Sequence, residues 1–422
     1  MHSKEKVLLT ALGTAFVLVS VAVFTLVLTT SLLARAGMPF MAAYTVGVTA
    51  TIIGTLAVSY GGRTLIALPS PAITAWLVYE EIIAHGVSWQ GVLGITALTS
   101  CVGAMLLRTR YAAALTHALP PIIRTGLSFG LGLNMLMTAA LYARILLPSP
   151  WALTMGGTLG DPLTYFTLMG ILLVLLLCMR NVRTALPLGM GMVGILTWAE
   201  GFWEISAAPF FQPDIGTLVC AATLPQTEVP AAMSLGLTLL CALTVESAAV
   251  LAVRIRATEK RRGLARLLAT DAGAAFIGAF PLTISPISAV LPGAEKEHHI
   301  AGIPQVAALF ALLLLLLLPC APLLSAMADF PAVPAIALAV LGLLLVSRAL
   351  SMLRHSADGT AGGCGAFCFS ACRTRYTNGT DARSPRVDAP HGGSSGAYCT
   401  CHMGADHASF SVFSAQMDIA ID

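Results

Sequence analysis

The stretch LPSPAITAW, residues Leu68–Trp76, lies in a region apolar enough to cross a membrane as unbroken helix, yet it carries Pro69 and Pro71. Proline lacks a backbone N–H, and its ring clashes with the carbonyl four residues back, so the pair should break any helix it interrupts. In hydrocarbon such a break is costly. Freed N–H and C=O groups find no water there, and irregular backbone survives only where it is buried in protein or lines a cavity. The two prolines therefore mark a candidate site.

The surroundings justify reading the region as membrane. The chain has 422 residues, 57% hydrophobic and 10% charged, against about 25% charged in a soluble domain. Windows of about 20 apolar residues mark spans. Twelve such segments fall near 7–34, 39–60, 64–80, 91–107, 118–142, 163–179, 184–200, 230–253, 264–280, 281–293, 301–318 and 332–353. The first run, Val7–Ala34, is too long for the core of a cleavable leader and is read as the first span. With a cytoplasmic N-terminus, seventeen Lys and Arg fall on the inner side and only Arg35 and Arg144 on the outer. By the positive-inside rule, this predicts a multi-pass protein of the inner or plasma membrane with both termini cytoplasmic.

Composition changes after Arg354. Residues 355–422 are rich in Gly, Ser, Cys, Arg and His and hold five of the ten cysteines, Cys364, Cys368, Cys372, Cys399 and Cys401. The reading is a disordered cytoplasmic tail. A zinc site using His402 is the alternative, although no C-x-x-C pair is present, and a frame-shifted segment is another. Cys101, Cys178, Cys220, Cys241 and Cys320 lie in or near spans and read as small packing residues.

The break recurs. Transporters built from inverted repeats place their substrate between discontinuous helices at matching positions of the two halves. Counting from Val7 the first break comes after about 60 residues, at Pro69; counting from Pro230 the second comes after about 50, at FPLTISPISAV, Phe280–Val290. Spans 3 and 10 are expected to pair across the centre, each with extended backbone followed by a half-helix. Ordinary proline kinks are the alternative.

Span 8, AMSLGLTLLCALTVESAAVLAV, carries a lone acid, for Glu246 is the only formally charged residue between Glu228 and Arg254. An ionisable group at that depth costs about 2.5–3.5 kcal/mol on insertion scales, so it should face a cavity or a partner. Desolvation favours the neutral acid, which lets the group take and release a proton near neutral pH. The same carboxylate can accept a hydrogen bond from a ring N–H. Asp271, five residues after Arg266, reads as a structural hydrogen-bonding group.

Four stretches carry a resemblance: GMPFMAAYTVGVTATIIGTL from Gly37, LPSPAITAWLVYEEIIAHGVSWQ from Leu68, LPPIIRTGLSFGLGL from Leu119, and LGDPLTYFTLMGILLVLLLCMRNVRTALPLGMGMVGIL from Leu159. Over about Leu9–Arg354 the chain resembles the nucleobase:cation symporter family, the xanthine/uracil permeases, and within it the azaguanine-type hypoxanthine/guanine/adenine branch. Pro69–Trp76 falls in register on a PGMGLNAY-like motif of the family's third span. Glu246-Ser247 falls on its span 8 acid–hydroxyl pair.

The resemblance implies an all-α, inverted-repeat transporter with a core, a gate and two broken spans. The core would comprise spans 1–4 (within residues 1–142, which also hold gate span 5) and spans 8–11 (230–318). The remaining gate would be spans 6 and 7 with an external loop (143–229) and span 12 (319–354). It further implies substrate contacts from Glu246, Ser247, Pro71, Ala72, Thr74, Thr283 and Ser288, with Glu246 coupling the proton. No cofactor, metal or nucleic acid is expected, and the partners would be a nucleobase, a proton and the bilayer; a homodimer is compatible with the family.

The chain departs from the pattern in four places. Ser70 and Ala72 replace motif glycines and Thr74 replaces its Asn, keeping a hydroxyl but losing the amide's paired donor and acceptor. Ile287-Ser288 stands where the family has Glu-Ser or Gln-Asn in span 10, GAEKEHH (Gly293–His299) replaces a glycine-rich run, and the last two of fourteen spans have no counterpart. The expected function is import of a purine base with a proton. The alternatives are a degenerate, non-transporting protein of the same fold, and an anion permease of the sulfate type. No set of groups for catalysis appears among the spans.

Overall fold

A computed structural model describes residues 2–109, 121–147, 155–157, 159–180, 182, 184–205, 210–211, 213, 216, 218–223, 229–254, 257–290, 299–300 and 302–358. The tail cysteines and His402 lie outside the described residues, as does most of the loop Gly293–His299. Among the described residues, seven helices are long and apolar enough to cross a membrane, and an eighth apolar helix is shorter.

Helix α1 (His2–Arg35) reverses at Gly37, whose φ of +88° suits glycine, and Pro39 then starts α2 (Phe40–Ser59). Threonines inside α1 return their hydroxyls to carbonyls one turn back, as Thr30 does to Leu26 at 2.7 Å. A polar side chain is thereby satisfied in an apolar helix. The first break follows as strand β1 (Ala67–Pro69), α3 (Pro71–Trp76) and a π-helical continuation, Leu77–Ala84. Helix α4 (Trp89–Arg108) is capped by Ser88, which accepts from the Gly91 N–H at 3.2 Å.

After α5 (Pro121–Tyr142) comes a two-residue ladder, β2 (Leu146–Leu147) with β3 (Met155–Gly156). Helices α6 (Pro162–Met179) and α7 (Ala185–Ala199) form an antiparallel pair. The second half opens with α8 (Val229–Arg254) and α9 (Ala257–Phe276). The second break is β4 (Leu282–Ile284) followed by α10 (Ile287–Val290). A ladder of β5 (His299–Ile300) with β6 (Ile303–Pro304) then leads into α11 (Gln305–Leu317). A 3-10 turn, Leu318–Cys320, α12 (Ala321–Asp329) and α13 (Ala332–Asp358) complete the described chain. Helix α12 lies in what the apolar windows left as a loop. Pro319 and Pro322 break the apolar run after α11 and fit at the first positions of short helices.

The two breaks meet. β1 and β4 pair antiparallel, with Ala67 opposite Ile284, Leu68 opposite Thr283 and Pro69 opposite Leu282. Helix α2 presses on this pair at Gly54, where a Cβ would sit 2.8 Å from the Leu282 side chain and 3.2 Å from Ala67 Cβ. Around it, α4 packs on α8 and α9, and α1 on α2 and α11. Elsewhere α5 crosses α13 where Gly132 faces Gly342, a Cβ on Gly342 falling 2.9 Å from the Gly132 carbonyl. Two glycines let the helix backbones approach closely, which is how apolar helices associate where burial from water gives no driving force. Helix α13 also packs on α6 and α7, with Phe166, Phe202 and Phe330 clustered at centroid distances of 4.8–6.1 Å.

Candidate functional site

The backbone freed by the breaks is satisfied by side chains. Ser59 Oγ accepts from the Leu65 N–H at 3.0 Å, Ser288 Oγ from Ile66 at 2.8 Å and Thr55 Oγ1 from Ala67 at 3.1 Å. On the other strand, Asp271 Oδ1 accepts from the Leu282 N–H at 3.1 Å and Ser247 Oγ from Ile284 at 3.2 Å. Every one of these groups is buried. Hydroxyls and one carboxyl thus replace the helical partners the prolines remove, and extended backbone persists inside the protein without orphaned donors.

Beside the crossing lies a cavity of about 410 Å³, within the range of about 300–1,000 Å³ usual for small-molecule pockets. Glu246 of α8 lines it and is its one formally charged group among the described residues. Thr283 donates to Glu246 Oε1 at 3.4 Å, and Ser70 lines the same cavity. Ser70 accepts from the Ile73 N–H as the N-cap of α3, which leaves its own proton available to a partner. Pro71, Ala72 and Ala75 form one wall, and Leu338 and Leu341 of α13 lie across from them.

Four of the expected contact residues, Glu246, Thr283, Pro71 and Ala72, come together on this cavity. Three do not. Ser247 and Ser288 are engaged with the strand backbone, and neither lines the cavity. Consecutive helical residues are turned by about 100°, so the neighbour of a cavity-facing Glu246 faces elsewhere. Thr74 lies on the buried face of α3 with its hydroxyl unpartnered, while Pro71, Ala72 and Ala75 take the open face. Ile287 is buried in the same apolar core as Ile66 and Tyr44 and does not line the cavity, whereas Ser285 of that segment does.

The sequence reading missed the opposite wall. Asn134, Thr138 and Tyr142 of α5 line the cavity at four-residue spacing, one face of a helix. Tyr79 from the π segment joins them at the mouth, accepting a hydrogen bond from Arg35. The polar residues at i, i+4 and i+8 in the otherwise apolar second half of the helix were the available signal.

Comparison with known proteins follows this geometry. The guanine/hypoxanthine permease PbuO of Bacillus subtilis strain 168 is 26% identical over 182 residues, 42% of this chain and 42% of that protein. The putative permease MJ0326 of Methanocaldococcus jannaschii is 26% identical over 207 residues, 49% of this chain and 47% of that one. The adenine permease AdeP of Escherichia coli K12 is 23% identical over 192 residues, 44% of this chain and 42% of the relative. These partial likenesses to nucleobase permeases support an assignment to the xanthine/uracil permease family. The chain matches these permeases over rather less than half their length. No family model matches it. In fold, the chain is similar to the transmembrane domain of the cyanobacterial bicarbonate transporter BicA, with a TM-score of 0.51 and 14% identity over 83% of this chain and 97% of that one.

Proposed function

We propose that the protein is a secondary transporter that imports a purine base, of the hypoxanthine, guanine, adenine or xanthine type, together with a proton. The observation that carries this reading is the carboxyl of Glu246, the one charged group lining a cavity of small-molecule size among the described residues, beside the crossing of the two broken spans. A ring N–H of the base would donate to Glu246, and Ser70, Thr283, Asn134 and Thr138 would hydrogen-bond the remaining edges. The names of PbuO and AdeP point to the same substrate class.

The cavity lies between α1, α3, α8 and β4 on one side and α5 and α13 on the other. In the proposed cycle the first set moves as the core against the second as the gate, exposing the site alternately to each face. Arg63, Arg108, Arg262 and Arg266, all assigned to the cytoplasmic side by the charge count, cluster at one end of the protein. Arg35 stands by the cavity mouth. Both termini are accordingly taken as cytoplasmic, and the cavity as open outward.

The anion-permease reading fits less well, because no Lys, Arg or His lines the cavity among the described residues while an acid does. The test is uptake of labelled hypoxanthine, guanine, adenine, xanthine, uracil, sulfate and bicarbonate by cells expressing the chain. Saturable uptake of at least one purine is expected. Uptake of sulfate or bicarbonate alone would replace the proposal with the anion reading, and uptake of none would leave the degenerate one.

A further inference from the structure

We propose that an arginine-lined crevice at one end of the protein, remote from Glu246, binds the phosphate-bearing headgroup of an anionic phospholipid. Two adjoining hollows, of about 100 and 240 Å³, share Arg262 and Arg266 of α9. Arg63, from the turn between α2 and β1, closes the first, and Arg108, at the end of α4, closes the second. Four guanidinium groups from three segments thus border one crevice, and no acidic side chain lines either hollow among the described residues. Arg266 is held in place by a hydrogen bond to the Tyr60 carbonyl and by lying 5.9 Å from the Tyr60 ring centroid. Planar guanidinium forks match phosphate oxygens in pairs.

The neighbouring surface selects a lipid over a soluble phosphate. Leu98, Val102, Met105 and Leu106 of α4 are each more than half exposed. Their spacing places them on one face that runs along the helix to Arg108. An acyl chain lying on this strip would carry its headgroup into the crevice, and basic pockets between helices at the membrane edge bind acidic headgroups in this way. The crevice is formed by α4, α9, the end of α2 and the turn that follows it, so a bound lipid would hold the membrane edge of the proposed core. This inference stands apart from the transport reading, since it concerns none of the cavity residues.

The test is lipid retention by the purified full chain in detergent, read by native mass spectrometry with phosphatidylglycerol, phosphatidylcholine, glycerol 3-phosphate or inorganic phosphate added. Phosphatidylglycerol should be retained over phosphatidylcholine, and neither soluble phosphate should displace it at equal concentration. In the double variant R108Q/R262Q, retention should fall by about tenfold or more, given the usual contribution of each cation near an anionic surface. The control Arg180→Gln, at the end of α6, should retain the lipid as the native chain does. Equal retention of both lipids, displacement by a soluble phosphate, or undiminished retention in the double variant would overturn the proposal. The comparison of lipids on the native chain decides the matter even if the double variant fails to fold.

Discussion

Ser288 and Thr74 separate the side chains that hold the site's backbone from those that face its cavity. Ser288 Oγ accepts from the buried Ile66 N–H, so Ser288→Ala would leave that donor without a partner, at a cost of about 1–3 kcal/mol. The expected result is a lower thermal midpoint for the purified protein with substrate KM unchanged. Thr74 gives the opposite expectation. Its hydroxyl is buried and unpartnered, so Thr74→Val, which replaces it with a methyl group, should preserve or slightly raise stability and leave substrate affinity as it was. A weakened affinity in Thr74→Val would show that substrate reaches the buried face of α3. The sequence made the motif position legible but not the direction in which each side chain points. Ser247 and Ser288 match family positions, yet which hydroxyl faces a ligand and which faces a strand depends on the register of β1 against β4.

At the scale of elements, the two breaks were legible because proline acts locally: it removes a donor wherever it stands. That they meet was expected from the recurrence of the break in the two halves, whereas the antiparallel direction and register of the pair are seen only in the structure. What supports them was not legible, because Ser59, Thr55, Asp271, Ser247 and Ser288 come from four different elements. The cavity wall formed by α5 was not legible for a different reason, since which face of that helix meets the cavity is set by its crossing with α13. Asn134 provides the test of that wall. Asn134→Leu keeps a side chain of similar size but removes a donor and an acceptor. Substrate KM should rise by about five- to tenfold, equivalent to one lost hydrogen bond of about 1 kcal/mol, while the thermal midpoint stays unchanged. The α5–α13 crossing should respond in the reverse sense. A Gly132→Val side chain would meet Val346 at 2.7 Å and the Gly342 carbonyl at 3.1 Å. Such overpacking costs about 1–3 kcal/mol, and a thermal-stability measurement should show the loss directly.

For the whole molecule, the charge count, the paired breaks and the acid that lines the cavity are what the proposed transport cycle rests on. The membrane class was legible in composition alone, and the BicA-like arrangement agrees with an inverted repeat folded around its two breaks. In the proposed cycle, coupling would depend on Glu246. As a carboxylate it can accept a proton and a hydrogen bond from the base, whereas Glu246→Gln keeps the shape and an acceptor but cannot ionise. The most direct measurement is uptake of labelled purine into vesicles holding native protein or Glu246→Gln, with and without an inwardly directed proton gradient. The account predicts that the gradient drives accumulation by the native protein, and that Glu246→Gln at most exchanges bound base, indifferent to the gradient. Equal stimulation of both proteins by the gradient would contradict it.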